Sequence, residues 1–361
     1  MTETPPAARR SDGRIAAAAL LSLSFLVLLR VPPFRDPAGR KDMLEAAALM
    51  ARAEAAIRSC REAQGPAIDP VTDPNRTGLI GVERSIVTTS LGSLEAKRTT
   101  ANPAFAALVV TLFREAGVGR GDIVAVGASS SFPALVVATL AAARAAGVEP
   151  LVISSLGASE WGANIPGFGW LEMEDCLRQA GLLEFVPIAR SIGGEGDRGE
   201  DMDPAGRALI ESRVRAGVVP SVDEPSLEWN VAARLAAYRR AAGARPIKAF
   251  VNIGGSWANM GADAEVLKVE PGLARDVFVP PPGRRGVLQA MAAAGVPVIH
   301  LLNVKGLCER YGLPWDPRPL PAPGQGPLFR LAAAKSRPAT ALIALYVLAM
   351  AVLLAIPRRP L

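Results

Sequence analysis

The fold is decided by GDIVAVGASSSFPALVVATLAAARAAGVEPLVIS, residues 121–154. Residues 122–127 are an apolar, β-branched run, residues 132–146 are rich in Ala and Leu, and residues 149–154 return to a β-branched run. Gly147 stands where a glycine commonly ends a helix. A strand, a helix and a second strand in this order predict parallel strands joined by a crossover helix.

The same alternation continues along the rest of the central chain. Further strands are predicted at 84–89, 184–189, 247–253 and 296–302, and further helices near 102–116, 171–180, 204–216, 226–242 and 285–294. An amphipathic helix at 42–64 precedes them, because its apolar residues recur at helical spacing until Gly65-Pro66. The sequence therefore predicts an α/β fold, a single domain at 38–311 with a mostly parallel sheet and flanking helices.

The positive charge of the chain is concentrated at its ends. The 361 residues hold 40 Lys and Arg against 34 Asp and Glu, a formal net charge of +6. Residues 1–30 carry a balance of +2 and residues 335–361 one of +4, which leaves 32 basic and 32 acidic side chains at 31–334. A basic protein usually suggests a nucleic-acid partner. Because the central part is neutral, we expect no nucleic-acid binding.

Both ends of the chain are apolar, and the mean hydropathy of +0.25 is high for a purely soluble protein. IAAAALLSLSFLVLL (15–29) and ATALIALYVLAMAVLLAI (339–356) contain no charged residue. The first covers only about 23 Å as a helix, although flanking arginines can extend it, and the second reaches the length of a membrane span. We therefore predict two transmembrane helices, at 15–31 and at 339–356. The first is predicted to be a signal anchor that follows a short basic tail (1–14).

Two spans predict a protein of the plasma (inner) membrane. A cleaved signal peptide and a buried core helix are the alternatives for the first segment, but LLRVPPF contains no A-x-A-like cleavage site. The count of basic residues that flank the two segments favours a cytoplasmic central domain, whereas the short basic N-terminal region favours an exported one. We expect the domain on the extracytoplasmic side. Residues 312–330, which include GLPWDPRPLPAPGQGP, are predicted to form a semi-rigid spacer.

Residues suited to metal or cofactor chemistry are few. Cys60, Cys176 and Cys308 are odd in number and widely spaced, and are interpreted as buried small apolar residues. His300 is the single histidine and lies in VPVIHLL, a run typical of a hydrogen-bonded core residue. The acidic loop 192–203 does not match an EF-hand and is interpreted as solvated, with cation binding as the alternative. The sequence has neither G-x-x-x-x-G-K-[ST] nor G-x-G-x-x-G after a strand, so we expect no metal and no cofactor.

Candidate ligand-binding residues lie in four loops that follow predicted strands. Ligands of parallel sheets bind beyond the carboxyl ends of the strands, glycine allows close approach of the backbone, and free N–H groups attract anions. Any one loop is explained equally well by turns and helix caps, but four at one sheet edge predict a crevice for a carboxylate- or phosphate-bearing ligand. The candidates are Ser93, Glu95, Lys97, Arg98, Ser129, Ser130, Ser131, Ser155, Ser159, Asn164, Gly254, Gly255, Ser256 and Asn259, with Lys305 as a further nearby cation.

Five long segments resemble the poly-gamma-glutamate system protein family, membrane proteins associated with synthesis and export of this capsule polymer. They are TTSLGSLEAKRTTANPAFAALVV (88–110), GDIVAVGASSSFPAL (121–135), VISSLGASEWGANIPGFGWLEME (152–174), SIGGEGDRGEDMDPAGRALI (191–210) and VNIGGSWANMG (251–261). The resemblance implies a membrane-anchored accessory component beside the ligase and export subunits, and it supplies no catalytic residues. Poly-gamma-glutamate has one free carboxylate per residue, which suits the predicted crevice.

Three functions remain open from the sequence. The first is an accessory component of poly-gamma-glutamate synthesis or export that binds glutamyl units. The second is an envelope hydrolase or acyl/amide transferase with a nucleophile among Ser129, Ser130 and Ser131, although the segment 127–131 departs from G-x-S-x-G at its last position. The third is a non-catalytic membrane scaffold.

Overall fold

The computed structural model of the protein describes residues 13–30, 39–183, 185–330 and 337–355. The chain divides into two compact units. One is Lys41–Phe329, and the other is formed by the two ends, Met1–Arg40 and Arg330–Leu361.

A six-stranded sheet forms the centre of the unit Lys41–Phe329. Its strands are β1 Ile123–Ser129, β2 Glu149–Ser155, β5 Ala189–Ser191, β6 Ile247–Ile253, β7 Gly272–Ala274 and β8 Val298–Leu301. The order across the sheet is β5-β2-β1-β6-β8-β7, with β7 antiparallel to β8 and the other neighbours parallel. A separate hairpin pairs β3 Asn164–Ile165 with β4 Phe168–Gly169. The predicted α/β fold with a mostly parallel sheet is confirmed.

Helices flank the sheet, seven of them at nearly the predicted positions and three, at 94–100, 257–260 and 304–311, where no helix was predicted. They are α2 Arg40–Gln64, α3 Leu94–Thr100, α4 Ala104–Glu115, α5 Pro133–Ala146, α6 Trp170–Gln179, α7 Pro204–Ala216, α8 Leu227–Ala242, α9 Trp257–Met260, α10 Val287–Ala293 and α11 Val304–Tyr311. Gly147 ends α5 with a φ of 68°, a left-handed conformation that glycine adopts without steric cost. All seven residues of β1 are buried, as a strand covered on both faces requires.

Two of the predicted strands are wrong or shortened. Residues 84–89 form a turn, in which the hydroxyl of Thr88 accepts the N–H of Ser85, and their strand pairing is limited to a bridge between Thr88 and Ala158. Side-chain hydroxyls compete with the hydrogen bonds of a sheet in this way. Within the described residues of 184–189, the strand begins only at Ala189, because Pro187 lacks the N–H that pairing requires.

The two ends of the chain form helices that pack on each other. The N-terminal helix is α1, Gly13–Leu28, and the C-terminal helix is Arg337–Ala355. The rings of Phe25 and Tyr346 stack with their centroids 4.2 Å apart, and the hydroxyls of Ser22 and Tyr346 lie 2.9 Å apart.

The prediction of two membrane spans is corrected by these helices. Helix α1 has 16 residues, about 24 Å, and a bilayer core is about 30 Å thick. Throughout the described ranges, no helix has both the length and the apolar character that crossing a membrane requires. The predicted span ends at residues 31 and 356 lie outside the described residues. The two-span placement in the plasma membrane rested on these spans and is therefore wrong.

The cysteines differ from their interpretation as three buried small residues. Cys60 in α2 and Cys176 in α6 are 116 positions apart and form a disulfide, with Cα atoms 6.0 Å apart. Cys308 is buried and free, as predicted. A pairing between two distant helices depends on tertiary packing, which cysteine spacing does not reveal.

Candidate functional site

The sheet order brings the loops after β1 and β6 to one edge. The chain leaves β1 towards β2 on one side, whereas it leaves β6 towards β8 on the other. Neighbouring strands whose connections diverge leave a crevice beyond their carboxyl ends. A cavity of about 410 Å³ lies there, lined by residues that follow β1, β2, β6 and β8 and by the segment that leads into α3.

Eight of the fourteen sequence-predicted residues line this cavity. They are Ser93, Lys97, Ser129, Ser131, Ser155, Ser159, Gly255 and Ser256. Lys305 also lines it, from an exposed position in the first turn of α11. The parallel arrangement thus collects groups that lie up to about 200 positions apart in the chain.

Three other predicted residues hold the loops in place. Asn164 receives the N–H of Val82 at 3.0 Å and donates to its carbonyl at 2.7 Å. Asn259 donates to the carbonyl of Gly127 in β1 at 3.0 Å. Gly254 has a φ of +74°, and a Cβ there would stand 3.1 Å from the Cβ of Ser129. These residues shape the edge of the sheet without lining the cavity.

The remaining predicted residues also bond to protein groups. Ser130 donates its hydroxyl to the carbonyl of Ser155 at 2.7 Å, and exposed Glu95 accepts the hydroxyl of Ser93 at 3.0 Å. Arg98 makes two hydrogen bonds of 2.7 Å to the carboxylate of Asp316. That carboxylate belongs to the segment predicted as a spacer, so this part of residues 312–330 packs on the α/β unit.

Lys97 is the most unusual group in the cavity. Its side chain is buried, and Nζ lies 2.5 Å from the carbonyl oxygen of Ser131, 2.8 Å from the Oγ of Ser159 and 3.7 Å from the ring centre of Phe132. Burial lowers the pKa of Lys97 from 10.5 to about 7, and the charge of Glu160 only partly opposes this shift. A substantial fraction of Lys97 is therefore neutral near pH 7.

The position of Lys97 follows from the local fold of α3. Ser93 caps this helix, with its Oγ accepting the N–H of Ala96, and Lys97 lies in its last turn. The preceding Gly92 lies so close to the loop after β2 that a Cβ would stand 2.3 Å from the carbonyl oxygen of Glu160. Only glycine allows this approach, which brings α3 and the loop of Ser159 together.

A second buried cation lies beneath the cavity. Arg234 of α8 and Asp197 form an ion pair of 2.6 Å in which neither side chain is exposed. Arg234 also donates to the hydroxyls of Ser155 and Ser191 at 3.1 and 2.6 Å. The hydroxyl of Ser155, which lines the cavity, thus belongs to a buried polar network.

Several residues that line the cavity were not among the predicted ones. Trp257 and Trp315 expose about two fifths of their surface at the cavity, and Asn303 caps α11 beside them. Ser256, a predicted residue, is nine-tenths buried, and its hydroxyl finds no hydrogen-bond partner among the described residues. Trp257 could have been found from its place inside GGSWANMG, a loop that contains predicted ligand-binding residues. No feature of the sequence linked Trp315 to the cavity.

The single histidine and the acidic residues considered for cation binding lie apart from the cavity or have other roles. His300 is buried in β8, where its Nδ1 lies 3.0 Å from the Nδ2 of Asn252 and burial lowers its pKa to about 4. In the acidic loop, Asp197 pairs with Arg234 and Asp203 caps α7. Within the residues described, no group of three or more His, Cys, Asp or Glu side chains is placed to hold a metal ion.

No protein-family model matches the chain, and no curated protein or solved structure matches it either.

Proposed function

We propose that the protein is an accessory component of poly-gamma-glutamate synthesis or export, and that its cavity binds a glutamyl unit or another carboxylate-bearing ligand. The observation that carries the proposal is the convergence of the resembling segments. All five are separate in sequence, and each contributes residues to the same cavity. Representative members are Lys97, Ser129, Ser159, Asp201 and Ser256.

The composition of the cavity suits an anionic ligand with several acceptor oxygens. Hydroxyl groups dominate its polar lining, and Ser256 offers one that no described residue occupies. The exposed Lys305 supplies positive charge, whereas the Oδ1 of Asp201 already accepts the N–H of Glu195 at 2.8 Å. A cavity of about 410 Å³ is within the size range of small-ligand sites.

Calorimetry with defined oligomers tests this proposal. Tetra-γ-glutamate, titrated into the full-length protein, is expected to bind, and the same tetramer with amidated α-carboxylates is expected to bind at least tenfold more weakly. Lys305→Ala is expected to weaken binding, because it removes the exposed cation at the cavity. Lys268→Ala, which changes an exposed lysine paired with Glu265, is the matched control. Equal affinity for both tetramers would refute carboxylate recognition.

The role beside the synthesis and export subunits has a separate test. Deleting the gene is expected to change the amount or chain length of cell-associated and released polymer, and the Lys305→Ala gene is expected to restore it less well than the Lys268→Ala gene. An unchanged polymer after deletion would remove this role while leaving the binding measurement intact.

A serine nucleophile is the second candidate, and a specific contact favours a different serine from the three expected. The Oγ of Ser129 accepts the N–H of Ser131 at 3.3 Å, that of Ser130 donates to a carbonyl, and that of Ser131 accepts the N–H of Ser159 at 2.9 Å. The basic side chain in this region lies instead against the hydroxyl of Ser159.

A further inference from the structure

Ser159 combines the features of an activated nucleophile. It lines the cavity, and its Oγ lies 2.8 Å from the Nζ of Lys97. Its backbone is fixed, because its N–H donates to the Oγ of Ser131 and its carbonyl accepts the N–H of Gly162 at 3.0 Å. A serine needs an adjacent base to become nucleophilic near neutral pH.

Lys97 is placed to be that base. When neutral, its Nζ has two N–H groups and one lone pair. An N–H donates to the carbonyl oxygen of Ser131 at 2.5 Å, which leaves the lone pair available to the hydroxyl of Ser159. The Ser131 carbonyl thus orients the base. It completes a three-part arrangement of a nucleophile, a base and a group that orients the base.

The charged groups around Lys97 do not hold it as an ammonium. The Oε2 of Glu160 accepts the N–H of Gly92 at 3.1 Å, and its Oε1 lies 3.3 Å from the Nε of Arg84. Among the described residues, Lys97 makes no ion pair, and Phe132 covers it on one side. A buried lysine without a paired carboxylate readily gives up its proton.

We propose that Ser159 and Lys97 form a catalytic pair for acyl transfer from an ester or amide donor bound in the cavity. This activity goes beyond ligand binding. It rests on the proposed function only where the donor is a γ-glutamyl amide.

The reaction has two steps, acylation of Ser159 and hydrolysis of the acyl-serine ester. The Oγ of Ser159 bonds to the carbonyl carbon of the donor while its proton passes to the Nζ of Lys97. The bond from that carbon to the leaving nitrogen or oxygen then breaks, and the Lys97 ammonium returns the proton to the leaving group. Water attacks the acyl-serine ester and gives its proton to Lys97, which passes it to the departing Oγ of Ser159. The products are a carboxylic acid and an amine or alcohol.

Labelling of the full-length wild-type protein with a fluorophosphonate tests the pair. Mass spectrometry of the digested protein is expected to find the modification on Ser159. The rate is expected to rise with pH and to be half-maximal near pH 7, because only neutral Lys97 accepts the proton. Ser159→Ala and Lys97→Met are expected to reduce the rate at least 100-fold. The matched controls, Ser212→Ala and Lys268→Met, change exposed residues away from the cavity and should label normally.

The position of the modified residue in the wild-type protein tests the proposal even if a variant does not fold. Modification of Ser129, Ser130 or Ser131, or a folded protein that is not modified, would overturn it. Labelling of folded Lys97→Met at the wild-type rate would overturn the role of the base. Labelling at Ser159 without binding of tetra-γ-glutamate would support the pair and refute the proposed ligand, whereas binding without labelling would do the reverse.

Discussion

Lys97 and Arg234 are both buried cations at the carboxyl edge of the sheet, but their charges are compensated differently. Arg234 pairs with Asp197 and bonds to two serine hydroxyls. In the described part of the chain, Lys97 contacts only the hydroxyl of Ser159, a carbonyl oxygen and an aromatic ring. The first cation is fixed as a charge that holds elements together. Burial destabilises the charge of the second cation. Lys97 can therefore give up and take back a proton near neutral pH.

The largest expected effect separates the two cations by stability. Arg234→Met leaves the carboxylate of Asp197 buried without its partner, and is expected to lower the free energy of unfolding by about 3–5 kcal/mol. Urea denaturation at pH 7 measures it. Arg240→Met, an exposed arginine on the same helix, is the control and should stay within about 0.5 kcal/mol of wild type. A loss below about 1 kcal/mol for Arg234→Met would show that the ion pair does not organise the network.

The second prediction concerns the pH dependence that Lys97 causes. Its pKa is about 7 in the folded protein against 10.5 as the ordinary value, so the unfolded chain binds more protons between these limits. Stability must therefore rise with pH across this window, by at most about 1.4 kcal/mol per unit, and the cost is fully present below pH 7.

Comparison with Lys97→Met isolates this contribution. The free energy of unfolding of Lys97→Met minus that of wild type is expected to fall from pH 7 to pH 10, by a total on the order of 3 kcal/mol. Guanidinium denaturation at each pH gives the difference, and Lys268→Met supplies the exposed-lysine control. A difference that does not vary with pH would mean that Lys97 keeps its proton throughout, and would remove the contrast with Arg234.

The third prediction uses the neighbour of Lys97. Arg98 has a carboxylate partner, Asp316, and the guanidinium lowers the pKa of that carboxyl. Asp316→Asn is expected to cost about 1–2 kcal/mol at pH 7, since it removes the charge from a pair of hydrogen bonds that is largely buried. Asp175→Asn, in an exposed pair with Arg178, should cost under about 0.5 kcal/mol. Equal losses would show that burial does not distinguish the two pairs.

Much of the fold was predictable because long apolar runs decide it. Strands β1, β2 and β6 have seven residues each and follow the predicted positions closely. The three-residue strand β7 was missed, since a run that short has no periodicity to detect. The N-terminal membrane span was wrong because the prediction relied on flanking arginines to extend a short apolar run, and α1 has only 16 residues.

The location of the candidate site could be predicted from the sequence, but the contacts between its side chains could not. Because parallel strands end at one edge, the loops with Ser129, Ser159 and Ser256 were expected to meet, and they do. The serine run at 129–131 attracted the nucleophile hypothesis because it follows a strand directly. The contact between Lys97 and Ser159 joins positions 62 apart and depends on the close approach at Gly92, which sequence spacing does not encode.

The smallest effect is expected at Ser131, which serves both members of the proposed pair. Its carbonyl accepts from Lys97, and its Oγ accepts the N–H of Ser159. Ser131→Ala removes only the second bond, worth about 1 kcal/mol, so fluorophosphonate labelling of Ser159 is expected to slow about fivefold. Because the carbonyl remains, the pH of half-maximal labelling should not move, and Ser131→Thr should restore the rate. A shift of that pH would mean that the hydroxyl of Ser131 sets the protonation of Lys97, and the difference between the two buried cations would then depend on a side chain as well as on burial.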